Sequence, residues 1–220
     1  MLTYAVGDSH GRLDLLQRLL AEIARHAGQR PHRLVFLGDY IDRGPDSAGV
    51  VATVRQLQAE RPDGTVVALK GNHEDFLLRS RTDPDVAETW LANGGEETLA
   101  SYGARGVREL PADVLDWLAR LPTAFEDEAR VYVHAGLDPA RPRDGQTDHD
   151  RLWIRERFLG QDHDFGKFVV HGHTPCRTGR PDLRPYRVNL DTAAVYGGRL
   201  TAGVFEDGTT PPVDFLSVPA

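Results

Sequence analysis

Residues 33–39 read Arg33-Leu34-Val35-Phe36-Leu37-Gly38-Asp39, an apolar and partly β-branched run that ends at a glycine and an acid. Branched and aromatic side chains favour a strand, and a glycine typically ends one. The same order occurs earlier, where Leu2–Val6 runs into Gly7-Asp8, and later, where Thr65–Leu69 precedes Gly71-Asn72. Three similar strands are therefore predicted, each followed by a polar turn.

Helical periodicity fills both gaps between these strands. Apolar residues recur at three- and four-residue spacings, first at Leu13, Leu16, Leu20 and Ile23, and then at Val50, Val51, Val54 and Leu57. Asp46 or Ser47 is placed to cap the second helix. Strands alternating with helices predict a βαβαβ unit, in which the strands are parallel and the crossovers are right-handed.

The rest of the chain divides into a helical part and a β-rich part. Helices are predicted at Phe76–Arg79, Val86–Ala92, Glu96–Tyr102 and Ala112–Ala119, with Pro111 as the first residue of the last one. Strands are predicted at Ala129–Val133, Lys167–Val170, Arg187–Leu190, Leu200–Phe205 and Val213–Val218, with loops at Asp138–Asp150 and Arg177–Pro185. No linker divides the sequence, so we expect one domain over residues 1–220, with a helical insertion at about 75–120.

Composition narrows the class of protein. The chain has 220 residues, of which 40% are hydrophobic and 27% charged, as in ordinary soluble globular proteins. It contains no apolar run of the ~20 residues that a bilayer requires, and its first residues lack the basic region of a signal peptide, so we predict a cytoplasmic protein without a membrane partner. The single cysteine, Cys176, excludes an internal disulfide and a cysteine-based zinc site. A net charge of −7 argues against general nucleic-acid binding.

Each of five predicted strand ends combines a glycine with a side chain that can bind a metal ion. The segments are Gly7–Gly11, Gly38–Gly44, Gly71–Glu74, His134–Gly136 and Gly172–Thr174. In an open α/β sheet, ligands bind outside the carboxyl ends of the strands, so these turns should converge. Together they supply oxygen ligands and imidazoles, which suit Mn²⁺, Fe or Zn²⁺ better than Ca²⁺.

Each segment taken alone has a simpler interpretation. A Gly-Asp pair such as Gly38-Asp39 is commonly a turn with a helix cap, Asn72 could be a turn former, and His134 could be a hydrogen-bonded histidine of the core. Their joint occurrence, in order and each at a strand end, favours a site for two divalent ions. Two ions roughly 3.5–4 Å apart can activate a water and neutralise a phosphoryl group.

These segments resemble the motifs of the phosphoprotein-phosphatase type of calcineurin-like metallophosphoesterases, especially the small bacterial and phage members. The family motifs are GDxHG, GDxxDRG, GNHE or GNHD, HxG or HxD, and GHT. The resemblance spans nearly the whole chain. It implies an α/β fold of four layers, αββα, with two packed mixed sheets flanked by helices.

The resemblance also implies a ligand set for two metal ions, with Mn²⁺ expected and Fe or Zn²⁺ as alternatives. By motif, Asp8, His10 and Asp39 would bind the first ion. Asp39, Asn72, His134 and His173 would bind the second, so that Asp39 is the bridge.

Four residues are expected to act on the substrate through the same resemblance. His73 would protonate the leaving group, and Asp42 is its partner, because a carboxylate beside an imidazole favours the protonated form. Arg43 and Arg155 would hold phosphate oxygens, which suits bidentate guanidinium contacts. Arg157 is a rival to Arg155, and a surface ion pair with Glu156 would also explain Arg155. Asn72 is expected to contact the substrate as well.

The motifs favour two substrate classes. Gly71–Glu74 and Trp153–Arg157 resemble the protein-phosphatase branch, which predicts hydrolysis of phosphoserine, phosphothreonine and, less favoured, phosphotyrosine in proteins. His134–Leu137 resembles the diadenosine-tetraphosphatase branch, which predicts a dinucleoside polyphosphate or another small phosphoester. A non-catalytic metal-binding module is the least favoured alternative, because His73 and Arg43 are both present.

Two segments near the motifs have open roles. Asn93-Gly94-Gly95 resembles a family loop that lies over the site, although a plain helix terminus would explain it equally well. His171 is favoured as a residue that either supports the ligands or packs in the core, rather than as a ligand itself.

Overall fold

A computed structural model describes all residues from 1 to 220. The strands are β1 (Leu2–Val6), β2 (His32–Phe36), β3 (Val66–Ala68), β4 (Ala124–Glu126), β5 (Arg130–Val133), β6 (Phe168–His171), β7 (Asp182–Leu183), β8 (Arg187–Asn189), β9 (Arg199–Glu206) and β10 (Asp214–Pro219). The helices are α1 (Leu13–Ala27), α2 (Ser47–Glu60), α3 (Asn72–Ser80), α4 (Pro84–Trp90), α5 (Glu96–Ser101), α6 (Ala112–Arg120), α7 (Asp148–Trp153) and α8 (Glu156–Leu159). None of the helices has both the length and the apolar character needed to span a membrane.

The strands form two five-stranded mixed sheets. The first has the order β10-β9-β1-β2-β3, in which β1, β2 and β3 are parallel, β9 is antiparallel to β1, and β10 is antiparallel to β9. The second has the order β4-β5-β6-β8-β7, in which β5, β6 and β8 are parallel. The predicted parallel arrangement of the first three strands is confirmed.

The core follows from the two-residue period of the strands. Ala5, Val35 and Leu37 point to one side and pack against Tyr132, Val170 and other buried residues of the second sheet. Their sequence neighbours Tyr4, Val6, Leu34 and Phe36 belong to a second cluster with the apolar side chains of α1 and α2. Val131, Val133 and Val169 face the other way and pack with Phe158 of α8. The layers are therefore helix, sheet, sheet and helix, and the predicted four-layer fold is confirmed.

The predicted helices are correct except at their ends. Asp46 caps α2, since its carboxylate accepts from the Gly49 N–H at 2.7 Å. Helix α3 begins at Asn72 rather than near Phe76, because the Glu74 carboxylate accepts from the Gly71 N–H at 2.7 Å and so caps the helix start. Pro111 precedes α6 as its N-cap instead of being its first residue.

Four short elements were not predicted. Strand β4 and helix α8 lie in segments to which the sequence assigned no structure, β7 falls in a stretch predicted as a loop, and α7 begins in another such stretch. Strand β7 pairs only through Asp182 and Leu183 with β8, and α7 is fixed by Thr147, whose hydroxyl accepts from the Asp150 N–H at 3.2 Å. Elements of two to six residues are too short to leave a periodic pattern in sequence.

Candidate metal centre and active site

The predicted ligands come from the carboxyl ends of strands in both sheets. Asp8, Asp39 and Asn72 follow β1, β2 and β3, while His134 and His173 follow β5 and β6. All of these side chains are buried, with at most 4% of the residue surface exposed. The packing of one sheet on the other therefore gathers five separated segments of the chain into one place.

Backbone carbonyls fix the orientation of two of the imidazoles. His10 Nδ1 lies 2.8 Å from the Ile41 carbonyl oxygen, and His134 Nδ1 lies 2.9 Å from that of Leu37. A carbonyl oxygen only accepts, so each Nδ1 donates and each Nε2 carries a lone pair. Such partners commonly orient metal-binding histidines.

Asp39 lies between the two groups of histidines. Its Oδ2 is 3.3 Å from His10 Nε2, and its Oδ1 is 3.4 Å from His134 Nε2. Burial alone would raise the pKa of Asp39, but the neighbouring histidines His134, His73 and His10 favour its ionised form and hold that pKa well below its usual value. An ionised carboxylate with one oxygen toward each group is the arrangement that a bridging ligand requires.

Asn72 completes the second group. Its Oδ1 lies 2.8 Å from His134 Nε2 and 2.8 Å from His173 Nδ1. Burial lowers the pKa of both histidines, which keeps their imidazoles neutral. His134 Nε2 therefore faces the oxygens of Asn72 and Asp39, and all three atoms are acceptors with no proton to share. A cation between them would stabilise this arrangement.

Asp8 is held by the turn that carries His173. Its two carboxylate oxygens accept from the His173 N–H at 3.0 and 3.2 Å. A Cβ on Gly172 would lie 2.1 Å from Asp8 Oδ1, so only glycine allows this approach. Burial raises the pKa of Asp8 well above its usual value, and the nearby carboxylates of Asp191 and Asp39 raise it further. A divalent cation would offset this concentration of acidic groups.

The ligand atoms form two compact groups. Those of Asp39, His134 and His173 lie within 4.8 Å of one another, and so do those of His10, Asp39 and His73. The group around His10 contains His73 where the sequence placed Asp8. The donor set fits two divalent ions that share Asp39, and His73 adjoins the first of them.

Left-handed backbone is concentrated in this site. The structure has six non-glycine residues with positive φ, and five of them carry predicted functions: His10 (41°), Asp39 (52°), Asp42 (72°), Arg43 (68°) and His173 (70°). L-residues rarely adopt this conformation, and they are held in it here by the turns that follow the strands.

His73 and Asp42 form a buried pair. His73 Nδ1 lies 2.6 Å from Asp42 Oδ2, and Nδ1 therefore donates while Nε2 remains available. The same carboxylate accepts from Trp90 Nε1 at 2.9 Å and from Thr98 Oγ1 at 2.6 Å. Trp90 and Thr98 lie in α4 and α5, and no sequence motif marks either residue as part of the site.

Arg43 lies beside the first group. Its Nη1 donates to His10 Nε2 at 2.8 Å, and its backbone N–H donates to the Gly94 carbonyl at 3.1 Å. Gly94 has φ 106°, and a Cβ there would lie 2.6 Å from Arg43 Cγ. The Asn93–Gly95 segment, which joins α4 to α5, thus packs on Arg43 at the edge of the site.

The two rival arginines differ in their partners. Arg157 Nε lies 3.1 Å from Asp138 Oδ1 and is occupied by that ion pair. Arg155 is exposed and lies near enough to His173 to contribute, after burial and His134, to the lowered pKa of that histidine. Arg157 is therefore paired with Asp138, whereas Arg155 is exposed and within electrostatic range of His173.

Two further acids were missed. Glu74 belongs to a motif but had no assigned role; its carboxylate accepts from the N–H groups of Asp39 (2.9 Å), Tyr40 (2.8 Å) and Gly71 (2.7 Å). It thereby joins the turn after β2 to the start of α3, and burial with the Asp39 charge raises its pKa to about 8. Asp191 follows β8, and burial raises its pKa to about 6.

His171 is a packing residue, as predicted. It is fully buried in β6, and its ring meets that of Phe158 edge-to-face at 5.0 Å. Burial and then Arg187 lower its pKa to about 3, so the ring is neutral.

Comparison with known proteins agrees with this geometry. Residues 1–200 match the family model described as calcineurin-like phosphoesterase. The chain is 35% identical over 216 residues to a serine/threonine-protein phosphatase 1 of Salmonella typhimurium, covering 90% of this chain and 89% of that protein. It is 29% identical to an asymmetrical bis(5'-nucleosyl)-tetraphosphatase PrpE of Halalkalibacterium halodurans, covering 98% of this chain and 92% of that protein.

Solved structures show the same fold. A crystal structure of a candidate diadenosine tetraphosphatase has a TM-score of 0.70 at 28% identity and covers 99% of this chain and 93% of its own. A cold-active protein-tyrosine phosphatase of a Shewanella species has a TM-score of 0.64 at 19% identity, with coverages of 97% and 80%. Because its sequence identity is only 19%, the tyrosine phosphatase shows a shared fold and carries no argument about activity.

Proposed function

This chain belongs to the calcineurin-like phosphoesterase family of hydrolases, and we propose that it is a metal-dependent phosphomonoesterase acting on phosphoserine and phosphothreonine in proteins. The substrate class rests on the 35% identity, over 90% of this chain, to a protein named as a serine/threonine phosphatase. Phosphotyrosine is a further substrate that the same site would accept.

Two divalent ions, Mn²⁺ before Fe or Zn²⁺, would occupy the site. The family uses a dinuclear metal centre, and this chain has His and Asp groups able to hold metal. Asp8, His10 and Asp39 would hold one ion, and Asp39, Asn72, His134 and His173 the other. When bound, the ions would activate a water molecule and neutralise the phosphoryl group.

Three side chains would bind the phosphate. Arg43 and Arg155 lie near the first and second groups of ligands respectively, so their guanidinium groups would hold phosphoryl oxygens from two sides. Asn72 uses its Oδ1 toward the histidines, which leaves its amide nitrogen to donate to the substrate.

His73 would donate the proton to the departing oxygen. Its Nδ1 is held by Asp42, so Nε2 is the atom that can face the leaving group. Water would attack phosphorus directly, without a phosphoenzyme. A thiol nucleophile is disfavoured, because burial raises the pKa of the only thiol, Cys176, to about 12.

The second candidate is hydrolysis of a dinucleoside polyphosphate. It is favoured by the TM-score of 0.70 and 28% identity to the candidate diadenosine tetraphosphatase. A non-catalytic metal-binding module is disfavoured, because it would have no use for a buried Asp42 that is hydrogen-bonded to His73, Trp90 and Thr98.

One set of assays tests the proposal. We expect Mn²⁺-dependent hydrolysis, with kcat/KM on phosphoserine or phosphothreonine peptides above that on diadenosine tetraphosphate. The opposite order would replace the first candidate with the second. If metal-free protein hydrolysed p-nitrophenyl phosphate as fast as the Mn²⁺-loaded protein, the two-metal mechanism would be wrong.

A further inference from the structure

Tyr196 is a large aromatic side chain left at the surface beside the site. It is 62% exposed, more than any other large hydrophobic side chain of the protein. Its ring centroid lies 5.6 Å from Cζ of Arg43, whose Nη1 in turn donates to His10 Nε2 at 2.8 Å. One arginine therefore separates an exposed aromatic ring from the predicted metal ligands.

The turn that carries Tyr196 is anchored from several directions. Asp191 Oδ1 accepts from the Ala193 N–H at 3.0 Å, and Arg12 Nη1 donates to the Ala194 carbonyl at 3.1 Å. Ala193 has φ 63°, which an alanine adopts only where its surroundings hold it. A rigid turn presents the ring at little further cost in conformational entropy, as aromatic residues do in binding loops.

The ring can contact more than the arginine. A guanidinium group stacks through its flat face and binds phosphate through its edge, so Arg43 can do both at once. With one side of the Tyr196 ring toward Arg43, the rest of the ring is open to solvent. A planar group attached to a phosphate held by Arg43 would lie within reach of that open surface.

We propose that Tyr196 is a stacking platform for an aromatic ring carried by the phosphate ester, so that the site gains affinity for aryl or nucleoside esters that it lacks for aliphatic ones. This inference rests on the proposed phosphoesterase function. The ring could belong to phosphotyrosine or to a nucleobase, and both present the same flat apolar face.

The test compares ratios of kcat/KM within each variant. The substrates are a phosphotyrosine peptide, a phosphoserine peptide of otherwise identical sequence, and diadenosine tetraphosphate, all with Mn²⁺. In Tyr196→Leu we expect the ratio of the aromatic to the phosphoserine substrate to fall roughly tenfold, since stacking on an aromatic side chain is worth about 1–3 kcal/mol. Any loss that acts through Arg43 affects both substrates and cancels in the ratio.

Two further variants sharpen the comparison. Tyr196→Phe keeps the ring and should keep the ratio, which separates stacking from a hydrogen bond of the hydroxyl. Tyr186→Leu changes a tyrosine that is 40% exposed and lies in the connection between β7 and β8, and it should leave the ratio unaltered. A fall with phosphotyrosine alone or with the dinucleotide alone identifies the source of the ring.

The outcomes separate this inference from the proposed function. An unchanged ratio for both aromatic substrates in Tyr196→Leu would overturn the platform and leave Tyr196 as a support for Arg43. Wild-type protein that hydrolysed only the phosphoserine peptide would overturn it as well. If the wild type showed no Mn²⁺-dependent hydrolysis of any of the three, the proposed function itself would fail, and the platform with it.

Discussion

His73 Nδ1 lies 2.6 Å from Asp42 Oδ2, and neither side chain is more than 3% exposed. Three hydrogen bonds converge on that one carboxylate, from His73, Trp90 and Thr98. Asp42 is thus fixed by helices far along the chain, and it fixes the ring of His73 in turn.

The first prediction concerns this imidazole. His73→Ala should lower kcat on a phosphoserine peptide by about 10²–10⁴-fold, the usual contribution of a general acid. The loss on p-nitrophenyl phosphate should be much smaller, because nitrophenolate departs without a proton. Steady-state kinetics on both substrates check it. The metal content of the variant should also be measured, because His73 lies close to His10 and Asp39. Loss of bound metal would assign His73 as a ligand instead.

The second prediction separates the two arginines of the Trp153–Arg157 segment. Arg155→Ala should lower kcat/KM by roughly 10–100-fold, because a hydrogen bond to a charged group is worth about 1.5–3 kcal/mol. Arg157→Ala is the matched control: it removes an ion pair with Asp138 whose arginine is 62% exposed, and activity should stay within about twofold. A larger loss in Arg157→Ala than in Arg155→Ala would exchange their roles.

The third prediction concerns Glu74, which accepts from three backbone N–H groups. In Glu74→Ala those buried donors lose their acceptor at about 1–3 kcal/mol each, so the free energy of unfolding should fall by several kcal/mol. Urea denaturation of metal-free protein measures it. Asp75→Ala, which removes only a 3.8 Å helix-surface pair with Arg79, is the control and should cost less than about 1 kcal/mol. Equal effects would mean that Glu74 does not join the two turns.

The fourth prediction concerns Cys176. Burial, and then Asp191, raise the pKa of its thiol to about 12, so the thiolate is scarce at neutral pH and appears only in strongly alkaline solution. Iodoacetamide should therefore alkylate the folded protein slowly at pH 7, and Cys176→Ala should retain kcat. Mass spectrometry and a phosphatase assay test both statements. Rapid alkylation with loss of activity would reopen a thiol-based mechanism.

The positions of the predicted ligands at the strand ends could be read from sequence because they depend on local pattern. A strand shows its period of two, a glycine marks where it stops, and parallel strands bring their ends together. Asp39, Asn72 and His134 occupy the expected strand ends for that reason. Helix α3 starts at Asn72, four residues before the predicted start at Phe76. The earlier start depends on the hydrogen bond from the Gly71 N–H to the Glu74 carboxylate, which the periodicity of apolar residues does not reveal.

The supports of the site could not be predicted in the same way. Trp90 and Thr98 reach Asp42 across 48 and 56 residues, and Asp191 reaches the Tyr196 turn from the end of β8. Such contacts are set by how helices and sheets pack, and no local pattern encodes them. The ion pair between Arg157 and Asp138, which Arg155 does not share, is likewise set by packing.

The left-handed backbone of His10, Asp39, Asp42, Arg43 and His173 bears on how this protein can evolve. An L-residue in that conformation costs roughly 1–2 kcal/mol that glycine avoids. Replacing these residues with glycine would relieve that strain but remove the side chains predicted to carry the chemistry. Directed evolution of heat resistance in this chain therefore needs an activity screen at every round.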